Sequence, residues 1–246
     1  MEDQEVIVKQ MHAALEHEAH IDMQQKPIDI HIGNGTIALG GELPTIADKK
    51  RAARAAARVT GGYGVVDRIC VTPAEHMGDG AIRDAVARLL LRDADFNNCT
   101  IRVHNKGAVE TLHECVGDWC SRIDIAVEDG IVTLTGEVIS LTHKRLAGAL
   151  AWWVPGTRDV VNELAVRPRE DDNDDEVTDA VRWLFETDPH VHAENISVKT
   201  RNFVVTLDGV VGSEAERRRA ENDAWCVFGV DDVVNRIEVR PAQMGL

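Results

Sequence analysis

The sequence predicts an α+β fold: three tandem αββαβ units, each a small three-stranded mixed sheet with two helices on one face. Three observations predict it. Residues 123–138 read as two short strands joined at Asp129-Gly130, with Ile123, Ile125 and Val127 alternating with polar or small residues. That is the period of a half-buried strand beside a turn that tolerates positive φ. The same run recurs at residues 28–41 and 196–209. The copies also keep register. From Gly41 to Gly136 is 95 residues and from Gly136 to Gly209 is 73, and the same steps carry Thr45 to Ser140 to Ser213, Val71 to Val166 to Val239, and Pro73 to Pro168 to Pro241.

Repeat one, residues 1–73, opens with a helix over about 3–18, where Val6, Ile7, Met11, Ala14 and Leu15 recur at helical spacing. The hairpin follows, turning at Asn34-Gly35. Thr45 is the N-cap of an alanine-rich helix over 46–58. Gly61-Gly62-Tyr63-Gly64 ends that helix, residues 65–71 form the closing strand, and Pro73 stops the unit. A strand that follows a helix in this way lies parallel to the strand before it, through a right-handed crossover. Repeat two, residues 79–168, has a first helix at 80–93, a second helix from Ser140 to about Trp153, and a closing strand at 160–166. It carries an insertion at about 97–122, read as a surface loop. Repeat three, residues 173–241, follows the acidic run 171–176, read as a solvated linker whose last members favour a helix N-terminus. Its first helix spans 175–187, its second opens with the capping box Ser213–Glu216, and its closing strand is 233–239. In place of the hairpin glycine it has Phe203.

A unit of about 70 residues buries only some 60% of its surface, so neighbouring units are expected to pack on one another. The formal net charge of −15 over 246 residues sets the chain against nucleic acid and, at long range, against anionic membranes, unless basic residues are gathered on one face. The five cysteines are an odd count without disulfide-framework spacing and read as free thiols of a reducing compartment. The acidic N-terminus has no apolar segment of a signal peptide. The expected location is therefore cytoplasmic, or periplasmic if a leader has been removed.

The segments Val132-Thr133-Leu134-Thr135-Gly136-Glu137-Val138, Val160-Val161-Asn162-Glu163-Leu164 and Phe228-Gly229-Val230-Asp231-Asp232-Val233-Val234-Asn235-Arg236-Ile237 resemble the pattern of the BON domain. This is the module of bacterial osmotically inducible periplasmic proteins. Repeat one departs at Asp67, where the pattern has asparagine. The resemblance implies a non-enzymatic αββαβ module, without cofactor, that binds phospholipid surfaces or partner proteins in envelope and stress protection. It also implies an alternative, a cytoplasmic sensor of potassium ion that uses acidic side chains and carbonyls at the unit junctions.

The candidate contact residues are the basic side chains of the second helices: Lys49, Lys50, Arg51, Arg54 and Arg58, then Lys144 and Arg145, then Arg217, Arg218 and Arg219, with Trp152 and Trp225 beside them. Each Lys or Arg at an anionic surface contributes about 1 kcal/mol, so repeat one would supply roughly 5 kcal/mol. The insertion gathers the soft ligands Cys99, His113, Cys115 and Cys120, a weak zinc candidate because it has no paired CxxC spacing. No nucleophile–base signature or phosphate loop is present, and no apolar run is long enough to span a bilayer.

Overall fold

The computed structural model describes residues 2–17, 21–23, 27–33, 35–59, 64–117 and 120–240. The expected turn residue Asn34, the helix stop at Gly61-Gly62-Tyr63 and the terminal Pro241 lie outside them. The chain forms two compact units, Met1–Pro73 and Ala74–Leu246.

The first unit contains α1 (Glu2–His17), β1 (Asp29–Gly33), β2 (Thr36–Leu43), α2 (Ile46–Val59) and β3 (Gly64–Val71). β1 pairs antiparallel with β2, and β3 returns parallel to β2 after the α2 crossover. Alternation in β2 turns Ile37, Leu39 and Leu43 toward the helices, where they meet Met11, Leu15, Ala52, Ala56 and Ile69. The Thr45 hydroxyl accepts from the Asp48 N–H at 3.1 Å and caps α2. The alanines of α2 let its backbone approach the sheet closely.

The second unit holds repeats two and three. Repeat two comprises α3 (Asp79–Arg92), β4 (Cys99–Asn105), β5 (Ala108–His113), β6 (Ser121–Glu128), β7 (Ile131–Val138), α4 (Leu141–Trp152), β8 (Asp159–Asn162) and β9 (Ala165–Val166). Repeat three comprises α5 (Asp174–Thr187), β10 (Ile196–Arg201), β11 (Val204–Val211), α6 (Glu214–Cys226) and β12 (Asp232–Val239). β10, β11 and β12 reproduce the arrangement of repeat one, antiparallel then parallel.

Repeat two corrects the sequence reading in two ways, at its insertion and at its cysteines. Its insertion is not a loop. β4 adds parallel to β6, and β5 folds back antiparallel on β4, so the sheet runs β5-β4-β6-β7-β8 with β9 beside β7. Cys99, Ile101 and Val103 alternate into the core with Ile123 and Ile125. The closing strand is read as two stretches, yet its register on β7 does not slip, and the Glu163 N–H still donates to the Leu134 carbonyl at 2.9 Å. Lastly, Cys115 and Cys120 form a disulfide, leaving Cys70, Cys99 and Cys226 as thiols.

The glycine that marks the repeat has one physical cause. Gly41, Gly136 and Gly209 have φ of 126°, 122° and 156°, and a Cβ on each would lie 2.9, 2.2 and 2.1 Å from the backbone carbonyl of Pro27, Arg122 or Asn195 at the start of the neighbouring strand. The hairpin turns use positive φ as well: Asp129 and Gly130 in repeat two, Asn202 and Phe203 in repeat three. In each case an aspartate at the start of the first helix holds the turn. Asp79 accepts from the Asp129 and Gly130 N–H groups at 3.1 and 2.9 Å, and Asp174 accepts from Asn202 and Phe203, both at 2.8 Å. The end of the acidic run therefore clasps a turn as well as complementing a helix dipole. Phe203 keeps its left-handed backbone with its N–H held.

Gly136→Ala adds both strain at positive φ and a backbone clash, so a loss of roughly 2–4 kcal/mol is expected in denaturant unfolding. A loss under about 0.5 kcal/mol, the scale of an ordinary surface change, would contradict this account. Peptide mapping of the unreduced protein should recover Cys115 and Cys120 in one linked fragment, with Cys70, Cys99 and Cys226 open to alkylation after unfolding.

Candidate functional site

The basic side chains of the second helices do not all lie at the surface. On α2 the reason is Asp67. In repeats two and three the equivalent side chains are asparagines that donate to a carbonyl of the second helix, Asn162 to Lys144 at 2.7 Å and Asn235 to Arg217 at 3.2 Å. Their oxygens accept from the strand two residues on, Leu164 and Ile237. Asp67 keeps the second bond, accepting from the Ile69 N–H at 2.9 Å, but it lacks the amide N–H that reaches the helix carbonyl. Lys49 occupies the register position of Lys144 and Arg217 and turns inward instead. Its ammonium lies 3.1 Å from Asp67 and donates to the Ile69 carbonyl, and the residue is 7% exposed. Lys49 is thus an internal ion-pair partner, contrary to its expected surface role. Lys50, Arg51 and Arg54 are half-buried and Arg58 is exposed.

On α4 the expected contacts go to the junction with repeat three. Arg145 is fully buried; its Nε donates to the Phe228 carbonyl at 3.0 Å and its guanidinium pairs with Asp172. Lys144 lies over the Phe228 ring, 4.8 Å from its centre, and burial lowers its pKa. Trp152 is half-buried, whereas Trp183 of α5 packs on the repeat-two core. Trp225 is buried at 0% exposure within repeat three. Arg145 and Trp225 therefore contact the protein's own interior and not an external surface. The cause is the one expected of a small unit: apolar faces are covered by the neighbouring repeat.

On α6, Arg217 and Arg218 pair with Glu214, one turn back. The capping-box glutamate, Glu216, reaches the N–H of Gly212 and not that of the N-cap Ser213, and it also accepts from His192. Arg219 belongs to a buried cluster. It pairs with Asp188 at the end of α5 and lies 3.7 Å from Asp223, whose carboxyl accepts from the Trp153 indole at 2.9 Å. Burial pushes Asp223 up to about 8; Arg219 opposes the shift and the Asp188 charge reinforces it. Burial also acts to raise Asp188, but bonds from the His190 N–H, Arg219 and the proton of Asp223 hold its carboxyl below the usual carboxylate range. The two carboxyls lie close together between α5 and α6, with Trp153 of repeat two closing one side. The sequence reading missed this cluster, and spacing gave no sign of it, because its members come from three helices.

The junction acids face the protein's own groups: Asp172 pairs with Arg145, Asp188 with Arg219, and Asp223 Oδ1 accepts from Trp153, while Asp223 Oδ2 is buried without a hydrogen-bond partner among the described residues. The zinc candidate is corrected outright. Cys115 and Cys120 are joined to each other, the Cys99 sulfur is buried beside Asn98, and His113 Nδ1 lies 2.8 Å from the Cys99 carbonyl. Burial pushes the Cys99 thiol up to about 11, the reverse of what a nucleophile or metal ligand needs. Among the described residues no group of three or more His, Cys, Asp and Glu side chains is placed to hold a metal ion, and no helix is long and apolar enough to cross a membrane.

Between the ordinary carboxyl value of about 4 and about 8, Asp223 is protonated in the fold and ionised in the unfolded chain. The native state then binds more protons, so stability falls as pH rises through this interval. Asp223→Asn retains an acceptor for Trp153 and removes the titration. Denaturant midpoints from about pH 5 to about pH 8 should show wild type losing on the order of 1 kcal/mol per pH unit relative to the variant. Parallel curves would contradict the raised pKa of Asp223.

Residues 3–73, 119–168 and 173–241 match the BON domain family, the second stretch leaving α3, β4 and β5 outside. Osmotically-inducible protein Y of Escherichia coli (strain K12) is 30% identical over 124 residues, 48% of this chain and 62% of that protein. An uncharacterised protein in the gshII 5′ region of Anaplasma centrale is 26% identical over 129 residues, 50% of this chain and 85% of that one. Two solved structures of CdsD, a structural protein of the type III secretion system of Chlamydia trachomatis, align at 16% and 17% identity with TM-scores of 0.25 and 0.26. They cover 93% and 95% of this chain, and the alignments take in 96% and 93% of theirs. With the family pattern matched along three stretches that together span most of its length, the chain belongs to the BON domain family.

Proposed function

We propose that this chain is a non-enzymatic binding protein of the bacterial envelope, acting in stress protection at anionic phospholipid surfaces, with α2 of repeat one as its contact. The observation that carries this reading is the difference between the repeats. α2 keeps four basic residues that are not buried, Lys50, Arg51, Arg54 and Arg58, in just over two turns. α6 keeps three such residues, Arg217, Arg218 and Arg219, and α4 only Lys144, because Arg145 is buried at the junction. At about 1 kcal/mol each, four such residues supply roughly 4 kcal/mol, enough for weak, salt-sensitive attachment by a chain whose net charge is −15. Similarity to an osmotically inducible protein supports the stress role. The Cys115–Cys120 disulfide supports an oxidising compartment, hence the periplasm, over the cytoplasmic expectation. A protein partner is the second reading, favoured by the outer edges of β5 and β10, with which no strand among the described residues pairs.

Co-sedimentation with vesicles tests the lipid contact. Wild type should pellet with phosphatidylglycerol-containing vesicles at low salt, less so at physiological salt, and not with phosphatidylcholine alone. Lys50→Glu with Arg54→Glu should abolish pelleting while leaving the circular dichroism spectrum intact. Pelleting unchanged by that double reversal would sink the assignment to α2.

A further inference from the structure

Repeats two and three are the same scaffold with one difference at the outer edge. The clasp of the hairpin turn by Asp79 in one and Asp174 in the other aligns α3 with α5, so that Ala87 corresponds to Arg182 and Leu90 to Phe185. The hairpins align Ile123 with Ile196 and Ile125 with Val198. In repeat two the outer edge of β6 is occupied by β4, which runs parallel to it with Val103 opposite Ile125, and Ile101 and Val103 pack in one core cluster with Ala87. In repeat three nothing among the described residues pairs with the outer edge of β10. The space that β4 would fill is a groove between α5 and β10. It opens on either side of Arg182 as cavities of about 340 Å³, against Phe185 and Ile196, and about 480 Å³, against Val198 and Lys199.

Arg182 stands where repeat two needs alanine to admit a strand. Its Nη2 donates to the Val198 carbonyl at 3.3 Å, an acceptor on the edge that an added strand would use, and its Nη1 lies 3.3 Å from Asp179. The side chain is 54% exposed, so it can swing out of the groove at little cost. An unpaired edge strand is a template for another extended segment, and a charged side chain laid across it is a common protection.

We propose that the α5–β10 groove of repeat three takes an extended peptide segment of a partner protein as an added strand, in the place and direction that β4 takes on β6. The internal template defines the chemistry of that segment. Two apolar residues at alternate positions face α5, as Ile101 and Val103 face α3. The opposite face is acidic. In repeat two Arg102 of the added strand pairs with Asp124, whereas β10 has Ser197 at the Asp124 position and Lys199 and Arg201 beyond it, all exposed. Asp175 and Asp179 on the α5 side exclude acids from the inward face. This proposal is independent of the lipid contact on repeat one.

A labelled peptide of residues 98–105 carrying Cys99→Val and His104→Glu is the probe, since position 104 falls opposite Lys199 in the borrowed register. Titrated with the full-length protein by fluorescence anisotropy, it should bind saturably. Arg182→Ala, which removes a half-exposed side chain from the groove, should tighten binding several-fold. Lys199→Glu should weaken it by a similar factor. The same peptide N-methylated on alternate backbone amides should not bind, because strand addition needs those N–H groups. Absence of saturable binding to both wild type and Arg182→Ala overturns the proposal, and so does equal binding of the N-methylated peptide. Self-association of the protein that Lys199→Glu abolishes and the peptide does not displace would overturn the partner assignment in favour of a second copy of this chain.

Discussion

In every repeat the second helix is tied to the closing strand through one side chain, at positions 67, 162 and 235. That tie fixes how deep the helix sits on the sheet, and most local choices follow from it. Gly148 lies where a Cβ would come 2.8 Å from the Asn162 amide, and Ala52, Ala147 and Ala220 line the same approach at 0% exposure. Where the tie is an amide, a backbone carbonyl satisfies it and the basic side chain at the helix position is left to the surroundings. Where it is a carboxylate, the lysine of the helix must come inside. An aspartate in β3 has thereby moved Lys49 from the surface of α2 to its underside.

The junction between repeats two and three is held by charge as much as by apolar contact. Arg145, Asp172, Asp188, Arg219 and Asp223 are drawn into or beside a region covered by Trp153, Phe228 and Trp183. A buried ion pair seldom exceeds a well-packed apolar substitute in stability, because desolvation offsets the attraction. Its effect here is geometric: Arg145 reaches the Phe228 carbonyl and Trp153 the Asp223 carboxyl in only one relative placement of the two repeats. Gly229 at that point has a positive φ of 89°, and a Cβ on it would lie 3.3 Å from Asp172 and 3.4 Å from Arg145, so the turn after α6 is shaped to the same pair.

Much of this architecture was legible in the sequence. The matched spacings from Gly41, Thr45, Val71 and Pro73 through all three copies give the order of elements, and Thr45, Ser140 and Ser213 cap their helices as their chemistry requires. Other features were hidden for physical reasons. β4 carried a readable signal, Cys99, Ile101 and Val103 alternating with Thr100, Arg102 and His104 before a Lys106-Gly107 turn. β5 carried none, since as an outer strand with almost every residue exposed it needs no apolar face. The basic residues of the second helices look alike in sequence, and burial separates them only through residues far along the chain: Asp67 for Lys49, Phe228 and Asp172 for Arg145, Asp188 for Arg219. The disulfide joins cysteines five apart in sequence just before β6, a spacing that alone is equally that of free thiols.

The division of the chain into Met1–Pro73 and Ala74–Leu246 has a consequence for its survival under stress. Repeat one closes a core of its own around Leu15, Ile37, Leu39 and Ile69. Repeats two and three cannot part company so cheaply. Separation would leave the Arg145 guanidinium and the Asp223 carboxyl facing broken partners, and would uncover Trp183 and the apolar surface of repeat two that it shields. Heat or denaturant should therefore open repeats two and three together, and a protease meeting a partly unfolded molecule would find neither of them exposed alone.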